Sequence, residues 1–415
     1  MCAYSQVYYK TSFTISQPLI GIFFRKGGKI LKTVGIICEY NPLHLGHRKQ
    51  MRMIRSLRGA DAAVVCLMSG NFVQRGAPAI FDKSLRAEAA IEAGADLVLE
   101  LPVRAALSSA EGFADGGVAI LGDFCDELCF GAEDADAAAL TAAARALLSP
   151  EFPPILREAL EKGHSFPAAR QQALTRMGLD GALVASPNNI LAVEYCKAME
   201  SRGTRMRPMP IAREGSYHAQ RPDAENPSAT ALRRLLTGEG DWRPYVPEEV
   251  RPIFEGASLH TLEAGERAVL AKLRAMTEEE FEALPYGSEG LWRKFMHACR
   301  SCATVEQILD ATKSKRYTRT RLDRMMMCAF LGLTAADLAQ PDPYTRVLAF
   351  NDRGRGVLKE AKKTGVFLNA GEKIDGDHCR REFMMGDLYG LFAQDAPEAP
   401  GAEERRRVCY RKEQV

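Results

Sequence analysis

From residue 34 to residue 131 the chain repeats one pattern: a short, almost wholly apolar run, a loop, then an amphipathic stretch. Strands are expected at 33–38, 62–68, 97–99 and 127–130, with helices at 47–57, 83–93 and 109–121 between them. A strand without polar alternation has no solvent face, so helices must cover both sides of its sheet; strands joined through helices run parallel. The pattern predicts a doubly wound, parallel-sheet α/β domain.

Helical text follows over 134–177 and 189–201. Residues 207–212 return as a late strand of the same sheet and 228–236 as another helix, so the α/β domain spans 31–240. The proline-containing linker DWRPYVPEEVRP then leads into helix signals at 262–276, 277–284, 291–302, 305–312 and 320–331, with a strand–helix unit, TRVLAFN then DRGRGVLKEAKK, near the end. Residues 250–393 read as a second, mainly helical domain. Residues 394–415, poor in apolar side chains, read as a disordered tail. Residues 1–30 read as an extension whose flanks do not fit a signal peptide; the alternative reading is a misassigned start, with the true one near Leu31, where LKTVGII opens directly into the first strand.

Charge narrows the partners. With 55 Lys+Arg against 53 Asp+Glu, a net of +2, the chain as a whole has no strong attraction for nucleic acid or membrane, and any polyanion must be met by a local patch. No apolar run reaches the roughly 18 residues of a membrane span. The 11 cysteines are scattered rather than densely spaced, as in a cytoplasmic protein with reduced thiols.

The most informative stretch is VGIICEYNPLHLGHRKQM, residues 34–51, in which a strand runs into a loop carrying Asn41, Pro42, His44, Gly46 and His47 and a helix begins. In an open parallel sheet, ligands bind beyond the carboxyl ends of strands, where backbone N–H groups and the helix N-terminus favour an anion. His44 and His47 can both face a phosphate, with Gly46 removing a side chain that would block approach. The competing readings are a helix-start loop with incidental polar residues and a two-histidine metal site; the latter lacks further ligands at helical spacing, and no metal site is expected. SATALR, residues 228–233, offers Ser228 or Thr230 as a helix cap, with Arg233 one turn on, able to reach an anion at that N-terminus or simply lying on the surface. In SGNFVQRGAPAIFDK, Arg75 is either a ligand contact or a solvated cation. Residues 313–324, KSKRYTRTRLDR, cluster Lys313, Lys315, Arg316, Arg319 and Arg321 around Tyr317, which suits an RNA backbone with an aromatic platform for an unpaired base. In HACRSC, His297, Cys299 and Cys302 lack a fourth ligand and read as a helix face, while Cys38, Cys125 and Cys129 read as core.

Taken in order, EYNPLHLGH, MSGNFVQRGAPAIFDK, GADLVLELP, CFGAE, SPNNILAVEY, SATALR and KSKRYTRTRLDRMM resemble the bacterial tRNA(Met) cytidine acetate ligase family of the HIGH-motif nucleotidyltransferase superfamily. The resemblance implies a Rossmann-like nucleotidyltransferase (HUP) domain followed by a helical one. It also implies a two-step reaction, in which acetate and ATP give acetyl-adenylate and pyrophosphate, and the wobble cytidine of elongator methionine tRNA then takes the acetyl group, releasing AMP. It places ATP on Ile37, Cys38, Glu39, Tyr40, Asn41, Pro42, Leu43, His44, Leu45, Gly46, His47, Arg48, Lys49 and Gln50, with Gly131, Asn188 and Arg213, and gives His44, His47 and Arg233 the catalytic roles. Mg²⁺ is expected with ATP. Where family members read NPFHNGH and FGSE, this chain reads NPLHLGH and FGAE, which changes a side chain at Leu45 but not the N–H groups of the loop. The alternatives are adenylyl transfer to a small-molecule acceptor, against which the large helical domain with its basic segment argues, and a nucleotide-sensing RNA-binding protein without turnover, against which the histidine pair argues.

Overall fold

The computed structural model describes residues 24–26, 29–212, 227–238, 240–314, 316–339, 345–361, 367–368 and 377–412. Most of the expected N-terminal extension, and the candidate residues Arg213 and Lys315, lie outside the described residues. Strands β1 (Phe24–Lys26) and β2 (Lys29–Leu31) pair as an antiparallel hairpin.

The main sheet contains β3 (Thr33–Cys38), β4 (Ala63–Ser69), β7 (Leu97–Leu101), β8 (Glu127–Ala132), β9 (Arg207–Ala212), β10 (Thr345–Asn351), β11 (Phe367–Leu368) and β12 (Cys409–Arg411). The short strands β5 (Phe72–Val73) and β6 (Ala77–Pro78) form a separate hairpin. The order β11-β10-β7-β4-β3-β8-β9 is parallel from β7 to β9, as the apolar runs required. Alternation along β4 shows why its text has no polar face: Val64, Cys66 and Met68 enter one buried cluster with Met51, Ile54 and Phe81, while Val65 and Leu67 enter another with Phe113, Val118 and Val193. Helices Leu45–Arg58 and Lys83–Glu92 cover the first face, and Ala110–Leu121 and Pro187–Arg202 the second. No helix of the described residues is long and apolar enough to cross a membrane.

Three boundaries differ from the sequence reading. The stretch read as a linker packs on the α/β core: Val246, Val250 and Phe254 are buried there, and Phe254 stacks on Phe81 with ring centroids 4.4 Å apart. Truncating that ring would cost about 3 to 5 kcal/mol. Strand β10, assigned to the helical domain, instead pairs antiparallel with β7 and extends the first sheet. The residues from Gln394 to Lys412, read as disordered, are folded in: β12 pairs in parallel with β10, and Glu403 is buried. Composition misleads there because charge and backbone pairing do much of the holding, with few apolar contacts, such as Tyr410 on Phe350 at 5.3 Å, beside them. Lys83 Nζ lies 2.6 Å from Glu100 and 2.8 Å from Glu403, Arg346 reaches the same two carboxylates at 2.6 and 2.8 Å, and Arg406 pairs with Asp82 at 2.6 Å and Glu403 at 3.2 Å. Three cations and three anions thus close a network under the sheet edge. Burial pushes the Glu403 carboxyl up, but Lys83, Arg346 and Arg406 outweigh it and hold it at about 2.

The helices between residues 262 and 331 form their own core around Leu273, Phe281, Phe295, Ile308, Met326 and Phe330. Phe72, Val103 and Leu107 of the α/β part enter it, and the β5–β6 turn lies so close to helix Arg319–Leu331 that a Cβ at Gly76 would strike the backbone at Asp323 and Arg324.

Candidate functional site

Strand order reverses at β3: the chain leaves it toward β4 and β7, then returns to the other side for β8 and β9. Loops leaving β3 and β8 therefore diverge and open a crevice at the carboxyl ends of the strands, the usual ligand position in such sheets. The loop after β3 is built by short-range bonds. His44 is the N-cap of helix Leu45–Arg58; its Nδ1 accepts the Gly46 N–H at 3.1 Å, and the His44 N–H donates to His47 Nδ1 at 3.2 Å. These reciprocal bonds form a capping box made of two imidazoles. The rings stack with centroids 3.7 Å apart at 23°, and Tyr40, in a left-handed conformation at φ 46°, sets its ring 4.8 Å from His47. A neutral imidazole that accepts at Nδ1 carries its proton on Nε2, so both rings are oriented as Nε2–H donors at a helix N-terminus. Gly46 has a further reason here: a Cβ would sit 3.0 Å from the His44 ring.

Arg233 joins this loop from across the sequence. Helix Ala229–Thr237 is capped by Ser228 Oγ, which accepts the Ala231 N–H at 3.1 Å; of the two expected cap residues, Ser228 does the capping. Thr230 Oγ1 instead accepts from Arg233 Nη2 at 3.1 Å, while Nη1 donates to the Asn41 carbonyl at 2.6 Å. The guanidinium is thus docked against the histidine loop. On the neighbouring strand, Gly131 is the penultimate residue of β8, and Asn188 lies in the first turn of helix Pro187–Arg202. Glu133 ties the two: it accepts from Ser186 Oγ at 2.8 Å, Asn188 Nδ2 at 2.6 Å and the Asn189 N–H at 2.8 Å. Burial pushes this carboxyl up, but those bonds hold it below the usual range. Not every expected residue faces the crevice. Ile37 packs with the core, Arg48 pairs with Glu249 at 2.8 Å, and Gln50 donates to Cys129 Sγ at 3.5 Å.

A profile of the HIGH Nucleotidyl Transferase family matches residues 31–402. The tRNA(Met) cytidine acetate ligase of Acetivibrio thermocellus is 36% identical over 393 residues, 86% of this chain and 94% of its own. That of Caldanaerobacter subterraneus subsp. tengcongensis is 36% identical over 387 residues, 87% and 95%. The chain belongs to the tRNA(Met) cytidine acetate ligase family. Among solved structures, apo TmcAL of Thermotoga maritima superposes with a TM-score of 0.85 at 29% identity, covering 92% of this chain and all of that one, and its form bound with alpha-thio ATP with 0.82 at 28%.

For a member of this family, the basic segment 313–324 is less bare than its sequence. Arg319 lies 2.6 Å from Glu306 and 2.9 Å from Asp323; Arg316 lies 2.8 Å from Glu289; Arg321 donates to the Tyr286 carbonyl at 2.7 Å and covers the Tyr317 ring at 4.9 Å. Tyr317 is half-buried, its hydroxyl donating to Glu289 at 3.2 Å. These side chains shape the helical domain, while Lys313 is exposed at the end of helix Val305–Thr312. In HACRSC, His297 points outward and Cys299 inward, its thiol pushed up to about 12 by burial.

Sequence reasoning missed Arg86. Its guanidinium is completely buried and donates only to carbonyls: Phe81 at 2.9 Å, Glu39 at 2.6 Å, Ser69 at 3.1 Å and Gly70. It thereby pins the carboxyl ends of β3 and β4 together beneath the histidine loop. The signal was present, since Arg86 lies on the helical stripe that continues through Ala90 and Ala93, where a cation is out of place.

Proposed function

We propose that the chain activates acetate with ATP and passes the acetyl group to the exocyclic amine of the wobble cytidine of elongator tRNA(Met). The stacked pair of His44 and His47, docked to Arg233 at the strand-order reversal, is the observation that carries this reading; the family of the chain supports it. An acetate oxygen attacks the α-phosphorus, the bond to the β-phosphate oxygen breaks, and acetyl-adenylate and pyrophosphate form. The Nε2–H groups of His44 and His47 donate to the oxygens of the transferring phosphoryl group, where charge develops, in a site that needs no reorganisation. Arg233 accompanies the departing pyrophosphate. The cytidine amine then attacks the acyl carbon and AMP leaves. Among the described residues no three His, Cys, Asp or Glu side chains gather as a metal cage, so Mg²⁺ would enter on the phosphates of ATP.

The test is ATP–pyrophosphate exchange, run with and without acetate and with and without tRNA(Met). Exchange that requires acetate but not tRNA, followed by acetyl transfer when tRNA is added, is expected. Exchange without acetate, or AMP left on a small acceptor, would defeat the reading.

A further inference from the structure

Helix Leu291–Ser301 reads LWRKFMHACRS and contains no acidic residue. Leu291, Trp292, Phe295, Met296, Ala298 and Cys299 are buried in the helical core, which leaves Arg293, Lys294, His297 and Arg300 exposed on one face. Arg293 and Arg300 stand about 10 Å apart along the helix axis at 1.5 Å per residue, so the stripe spans two helical turns. None of the four forms an ion pair with a described residue. Arg293 lies over the Trp292 ring at 4.6 Å, which keeps its charge, and Lys294 Nζ donates to the Lys313 carbonyl at 3.0 Å, which joins the stripe to exposed Lys313. At the other end a cleft is lined by Arg274, Arg300 and Ser301. The acidic turn Glu278–Glu282 packs on the same helix through Phe281 against Phe295, 5.9 Å apart, but its Glu280 is directed to Lys272 at 3.1 Å.

We propose that this face, Arg293, Lys294, His297 and Arg300 with Arg274 and Lys313 at its ends, docks the sugar–phosphate backbone of the tRNA. The inference rests on the ligase reading and adds to it the surface that meets the RNA. Two observations select RNA over a protein partner. Among the described residues, the large apolar side chains left exposed, Leu57, Leu148, Leu160, Phe166, Met384 and Tyr410, all lie elsewhere, and a protein interface needs an apolar centre. The chain is also nearly neutral, at +2 overall, so a stripe of unpaired cations is a local feature and not a by-product of global charge. Arg316 and Arg319 of the expected segment have the opposite character: both are already paired with carboxylates, and a phosphate would have to displace those partners.

The triple variant R293Q/K294Q/R300Q tests this. Each lost phosphate contact should flatten the log-log salt dependence of tRNA binding by about 0.7 to 0.9, so the variant should lose about two units of slope and on the order of 100-fold in affinity at 0.1 M salt. Acetate-dependent ATP–pyrophosphate exchange without tRNA should stay within about twofold. An unchanged salt slope overturns the docking surface while leaving the ligase reading intact. Collapse of exchange in the variant also overturns it, because the stripe would then serve the nucleotide site. A wild-type chain that exchanges pyrophosphate with acetate but binds no tRNA overturns the surface and the acetyl-transfer step together.

Discussion

The histidine loop and the basic segment 313–324 look equally rich in chemistry when read as text, yet the fold treats them in opposite ways. In the loop, the bonds that orient His44 and His47 run between residues two and three positions apart, so the spacing of the motif already contains its geometry. In the basic segment, Arg316 and Arg319 meet Glu289 and Glu306, which reach them only after the helices have packed. Local spacing is a reliable guide where the bonds are local. Net charge of a segment is not a guide to free charge, because the partners arrive from elsewhere.

The largest effect should come from the local side of this contrast. His47→Ala removes the reciprocal cap and, in the mechanism proposed above, one phosphoryl donor; by analogy with a missing oxyanion-hole donor, acetate-dependent exchange should fall on the order of 10²- to 10³-fold. ATP affinity should change little, and loss of the cap should cost about 1 kcal/mol in urea unfolding. A variant exchanging at near wild-type rate would break the comparison at its stronger end.

The next effect belongs to the long-range side. Glu403→Gln leaves Lys83 and Arg346 buried with one carboxylate fewer, which should cost about 3 kcal/mol of stability in urea unfolding. Its pH dependence has a definite sign. The folded carboxyl is held at about 2, below its value in the unfolded chain, about 4.3. Its contribution is therefore complete above that unfolded value and disappears as pH falls through the window down to about 2. The gap between wild type and variant should be wide at pH 6 and narrow toward pH 3. A gap that stays constant would show that Glu403 contributes packing rather than charge.

The smallest effect should be R316Q/R319Q. Ion pairs this exposed contribute less than about 1 kcal/mol, and tRNA affinity should change by no more than about threefold, against the far larger loss expected for the helix Leu291–Ser301 face. A flattened salt slope in this variant would return the RNA contact to the segment where sequence alone placed it.

The same division explains how much could be read in advance. Strands β3, β4 and β8, the loop after β3, the cap at Ser228 and the return of β9 carry their signals within a few residues. Strand β10 was legible as a strand but not as a neighbour of β7, since antiparallel pairing with Leu97–Leu99 leaves no local mark in TRVLAFN. The terminal segment is poor in apolar residues, a composition that predicts no fixed place, yet Glu403 and Arg406 are fixed by Lys83, Arg346 and Asp82. Arg86 carried a local signal, a cation on an apolar helix face, whose meaning depends on carbonyls contributed by three other stretches of chain.

The pairing of β7 with β10 also sets a timetable. On the ribosome the apolar strand Leu97–Leu101 emerges about 240 residues ahead of its outer neighbour, an interval of roughly 12 to 50 s at ordinary bacterial rates of synthesis. Through that interval its outer backbone groups stand at an open sheet edge, ready to pair with any extended strand that arrives first. Rapid overproduction, which crowds nascent copies of the same sequence together, meets the chain at this stage, before β10 has been made. Slower synthesis at lower temperature should therefore raise the yield of folded protein more than any adjustment made after the chain is released.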